Sequence, residues 1–201
     1  MAASAGAAVV SENGNGFFVS GKDNMKRFSL RELIFLTLCC DLGLFTKRIA
    51  APIVNLITDA LHVPGGIGTG ISLMFLVVAA ALFGRFGCAT IMGALQSVIA
   101  LSLGMVGSMG ALSVIGYVVP GIVVDCVLYV TGKTHTGQVV TAVGANALAS
   151  MAANLVANFI TFHLKGLPLM ICLSISFISG AIFGFLCSFL FRKLQPVIGV
   201  K

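Results

Sequence analysis

The chain has 201 residues, 58% of them apolar and only 9% charged, and its mean hydropathy is +1.09, so it carries too little polar surface to coat a soluble globule. Its net charge of +6 does not point to nucleic acid, because the basic residues form no patch with interleaved aromatics and sit at the ends of apolar runs. The length leaves no room for a soluble enzymatic module beside membrane helices, which predicts a single all-α membrane domain.

Residues 1–25 are rich in Gly, Ala, Ser and Asn with no continuous apolar run, and they read as a disordered tail. Met25-Lys26-Arg27, directly before the first apolar run, would make an ordinary membrane-protein start. Crossing a hydrocarbon core of about 30 Å takes about 20 residues. Candidate spans fall at 29–46, 67–84, 87–106, 110–131, 137–163 and 168–191, giving a six-helix domain over 26–194 and a short tail at 195–201. Between the first two spans, Lys47 to Gly66 is too polar and too short to cross and is expected to fold back as a partly helical loop ended by Pro64-Gly65-Gly66.

Charge placement tests this count. With the N-terminus inside, the cytoplasmic side collects Lys22, Lys26, Arg27, Arg31, Arg85, Lys133, Arg192, Lys193 and Lys201, against Lys47, Arg48 and Lys165 outside. That imbalance predicts an even number of spans with both termini in the cytoplasm. Small residues recur at i, i+4 spacing in Ala145, Ala149, Ala153 and Ala157 and again in Ser176, Gly180 and Gly184, where helices are expected to approach closely.

Polar groups inside spans are costly and therefore informative. Asn146, Asn154, Asn158 and Thr161 fall within about 120° of one another at 100° per residue, a stripe facing the bundle and opening outward. Interhelical amide bonding and ligand lining are both open to it. Asp41 and Asp125 are the acids inside spans. Asp41 lies near Lys47 and Arg48, so an ion pair and a substrate contact are both open; for Asp125 the plain structural role is a pair with Lys133. Gln96 and Tyr117 are candidate cavity groups, and Asn55, Asp59 and His62 with the glycines that follow form a candidate lid over an outward pocket.

Enzymatic motifs fail one by one. Gly132-Lys133-Thr134 mimics the end of a phosphate loop, but Val127 stands where its first glycine belongs. His62, His135 and His163 lie on different loops, and no GxSxG or HExxH occurs. The six cysteines lie in or at the edge of apolar runs without CxxC spacing, as packing residues do. No cofactor is expected in this chain, and with no nucleotide site it cannot energise uphill transport alone.

The segment from Gly70-Ile71-Ser72 through LMFLVVAAALFGRFGCATIMGAL, then Leu103-Gly104, Val114-Ile115-Gly116 with PGIVVDCVLYVTGK, and Phe177-Ile178-Ser179-Gly180-Ala181 resembles the substrate-binding S component of an energy-coupling factor transporter. Within that group it is most similar to the hydroxymethylpyrimidine/thiamine type, over roughly residues 26 to 194. The resemblance implies a bacterial or archaeal plasma membrane, a transmembrane T component and two cytoplasmic ATPases that hydrolyse ATP, and a small-molecule site near the outer face. Gly93 and Ala100 stand where the subtype tends to carry acids, Ser176 replaces a basic position, and the first span lacks the small-residue row of T-component docking. A neutral or more apolar ligand is therefore expected in place of a thiamine-like cation. The lining is expected from Asn154, Asn158, Thr161, Gln96, Tyr117 and Asn55, with Asp41 beside them. A stand-alone secondary transporter or channel is the alternative, and an intramembrane enzyme a third.

Overall fold

A computed structural model describes residues 30–60, 67–83, 86–104, 107–133, 137–163 and 165–198. The elements among them are all helical: α1 (Leu30–Ala60), α2 (Ile67–Phe83), α3 (Cys88–Ser102), α4 (Ser113–Lys133), α5 (Gln138–Ala157) and α6 (Leu167–Ile198). A short 3-10 segment, Gly107–Leu112, leads into α4, and a π-helical turn, Asn158–Phe162, closes α5. The tail expected over 1–25, the lid residues His62, Gly65 and Gly66, and also Arg85 and His135, lie outside the described residues.

Gly110–Thr131, Val139–Ile160 and Leu167–Lys193 are long and apolar enough to cross a membrane, and Gly68–Phe83 and Cys88–Ser102 are shorter apolar helices. Large side chains of α6, among them Ile178, Ile182, Phe185 and Phe189, stand exposed on the bundle surface. Such a surface suits lipid and not water, as in a membrane protein.

α1 departs from the expected fold-back loop. Residues 47–60 continue the helix in one element of 31 residues with Pro52 inside it. Pro52 removes only one backbone donor, and the long stems of Lys47 and Arg48 let their charged heads leave the apolar backbone. At 1.5 Å per residue this helix is about 46 Å long.

Side-chain contacts set the helix directions. Phe35 meets Phe83 edge-on at 5.9 Å and Gly43 lies against Ser72 and Phe75, so α1 and α2 are antiparallel. Cys40 Sγ lies 3.9 Å from the Met92 carbonyl and Gly43 faces Gln96, so α1 and α3 run the same way. Gly93 against Tyr117 and Gly121 against Ala89 make α3 and α4 antiparallel; Gly180 against Ala147 and Gly184 against Val143 do the same for α5 and α6.

α2 is the hub. Leu76 through Ala80 are wholly buried, as a helix apolar on all sides requires, and with Leu36, Met92 and Val124 they form the core. Around it the glycines matter for distance. A Cβ on Gly180 would sit 2.7 Å from the Ala147 Cα, and one on Gly184 would sit 2.6 Å from the Val143 Cα. The glycine row of α6 therefore meets residues 142–147 of α5, while Ala145 and Ala149 of the alanine row pack into the core.

Gly180→Ala should thus lower the thermal midpoint in detergent, by the roughly 1–3 kcal/mol of overpacking against backbone. Gly144→Ala, where a Cβ meets nothing within 4 Å, should leave it level or raise it. Thermal unfolding of the two variants side by side checks this.

Candidate functional site

The helix directions gather polar side chains at one end of the bundle. Lys47 of α1 donates from Nζ to the Tyr117 hydroxyl of α4 at 3.2 Å and stands 4.5 Å above the centre of the same ring. Gln96 of α3 is buried beside Gly43 of α1. Asn154 of α5 donates to the Thr69 hydroxyl of α2 at 2.9 Å, tying the end of one helix to the start of another. Asn158 is buried at the first position of the π-turn, and its carbonyl accepts from the His163 N–H at 2.7 Å. His163 then turns the chain with a left-handed φ of 49°.

These residues form two neighbouring groups. Gln96 and Tyr117 face α1, whereas Asn154 faces α2. Thr161 lies in the π-turn and Asn55 in α1, with side chains outside those described. Asp41 joins neither group. It is exposed on α1 and lines a cleft of about 640 Å³ with Arg48, Leu38, Phe45, Ile99 and Leu103. A second cleft, of about 490 Å³, lies between the start of α4 and the end of α5, and its walls, including Leu112, Leu155 and Phe159, are entirely apolar.

Lys47 and Thr69 were not among the expected site residues. In the sequence Lys47 reads as a boundary charge, and its aromatic partner lies 70 positions away. Deeper in the stripe, Asn146 donates from Nδ2 to the carbonyls of Gly180 at 2.8 Å and Gly70 at 3.2 Å. At that level the polar stripe serves helix contacts.

Asp125 works at the opposite end, and the side chain of Lys133, its expected partner, lies outside the described residues. Its carboxylate accepts from the backbone N–H groups of Ala89 at 3.1 Å and Thr90 at 2.9 Å, and from the Thr90 hydroxyl at 2.6 Å. These donors belong to the first turn of α3, which has no intrahelical acceptor for them, and whose dipole favours a negative charge. Gly87 supplies no side-chain cap of its own. A residue of α4 thus caps α3.

No known protein family, curated protein or solved structure matches the chain. Among the described residues there is also no group of three His, Cys, Asp or Glu side chains able to hold a metal ion.

Asp125→Ala should destabilise the fold by about 2 kcal/mol, since it leaves the charge-assisted donors of a buried helix end unpaired. Asp125→Asn, which keeps one acceptor oxygen, should fall between it and the native chain in thermal or denaturant unfolding.

Proposed function

We propose that the chain is the substrate-capture subunit of an energy-coupling factor importer, taking a vitamin, vitamin precursor or similar small organic compound from outside the cell. In this reading it crosses a bacterial or archaeal plasma membrane six times with both termini in the cytoplasm. The observation that carries it is the shared end: Lys47, Thr69, Gln96, Tyr117, Asn154 and Asn158 come from five helices and occupy one end of an up-down bundle. With the basic residues placed by the positive-inside rule, that end faces outward.

The polar groups there are mostly neutral. Amides and a phenol orient a ligand by hydrogen bonds among apolar walls, which suits an uncharged heterocycle better than a free cation. The chain contributes binding and specificity. A transmembrane T component and two cytoplasmic ATPases supply the energy by hydrolysing ATP.

Native mass spectrometry of the protein purified in detergent tests the reading. A retained small molecule should be present on the native chain and absent from Asn158→Leu, with the thermal midpoint of the variant little changed. Uptake into liposomes by the purified chain alone, with no ATPase present, would instead make it a self-sufficient secondary transporter.

A further inference from the structure

On its side turned away from the other helices, α1 shows an apolar surface, with Leu38, Leu42, Phe45 and Ile49 exposed. Two charges stand in it. Asp41 and Arg48 are exposed and seven positions apart, so at 100° per residue they share a face, about 10 Å from each other along the axis. Both line the cleft of about 640 Å³ whose far wall is Ile99 and Leu103 at the end of α3. Its volume falls within the roughly 300–1,000 Å³ of small-molecule sites.

The nearest other cation is already engaged, because Lys47 is held by Tyr117. Among the described residues no ion pair reaches Asp41. Depth makes this costly. Counting from Leu30, Asp41 lies about 16 Å along the helix, near the middle of a hydrocarbon core of about 30 Å, and Arg48 about 27 Å along, near its outer edge. Arg48 can carry its guanidinium to the interface on a long stem. Asp41 has one methylene and cannot. A carboxylate there needs a cation or a strong donor brought to it.

We propose that the α1–α3 cleft binds a small amphipathic zwitterion, its amine at Asp41, its acid at Arg48 and its hydrocarbon body along Leu38, Leu42, Phe45 and Leu103. A fatty acid satisfies only Arg48, and an alkylamine only Asp41. A second copy of this chain fits poorly, since two α1 helices entering the membrane in the same sense around a two-fold axis set Asp41 against Asp41 and Arg48 against Arg48. The inference rests on the six-span placement of α1 proposed above and is independent of the capture role.

The chain contains no tryptophan, so Phe45→Trp places a single indole fluorophore in the cleft wall. In nanodiscs whose lipids carry bromine on the acyl chains, the indole of F45W should be quenched, and ω-aminooctanoate, whose charges are separated by about the Asp41–Arg48 spacing, should relieve the quenching saturably. Octanoate and octylamine should act at least about tenfold more weakly, and Asp41→Asn or Arg48→Gln in the F45W background should each weaken ω-aminooctanoate by about tenfold, the worth of one charge-assisted contact. The exchanged pair Asp41→Arg with Arg48→Asp should recover binding, because the zwitterion reverses. An unquenched indole in F45W would overturn the membrane placement of α1 and the inference with it. A quenched indole that ω-aminooctanoate does not relieve, or relieves equally in both charge variants, would overturn the zwitterion site alone.

Discussion

The carboxamide of Asn146 joins three helices. Its two N–H protons go to the carbonyl oxygens of Gly180 in α6 and Gly70 in α2, and glycine at 180 is what lets α6 come this close to α5. Water is not available inside a bilayer to replace either bond, so these N–H donors must be met by protein. The junction holds α5 and α6 against the central helix α2, and the Asn154–Thr69 contact ties α5 to α2 again nearer the helix ends. The Asn146 Oδ1 and the Ser150 hydroxyl beside it have no partner in the structure, so further hydrogen-bonding capacity is stored at this junction.

The two ends of the bundle are made differently. At one end Asp125 fixes the first turn of α3 with three hydrogen bonds, and Gly121 brings α4 into backbone contact with Ala89 and Thr90 of α3. At the other, single contacts between long or amide side chains connect the helices: Lys47 to Tyr117 and Asn154 to Thr69. There α5 loosens into a π-turn beside the buried Asn158.

The two clefts divide by chemistry. The one between α4 and α5 has hydrocarbon walls throughout, and the one between α1 and α3 pairs similar walls with an acid and a base. Neither is lined by the amides of the polar stripe. The stripe thus acts as the adhesive between helices at least at Asn146 and Asn154.

Hydropathy and spacing were enough to place the helices, because period and apolar length are local properties: α2, α4 and α6 begin within a few residues of their expected starts. The inward-facing stripe of Asn146, Asn154 and Asn158 was legible for the same reason, since the cost of burying an amide in lipid dictates which way it turns. The sequence could not assign partners. That Asn154 meets Thr69, that Asp125 meets the N-terminus of α3, and which face of α5 receives the glycines of α6 depend on which helices become neighbours and at what height. The sequence also hid the partner of Lys47 in the extended α1, a tyrosine 70 residues away. Local sequence therefore determined the helices and their buried faces, while tertiary contact decided which polar groups are spent on the fold and which, like Asp41 and Arg48, are left facing a cleft.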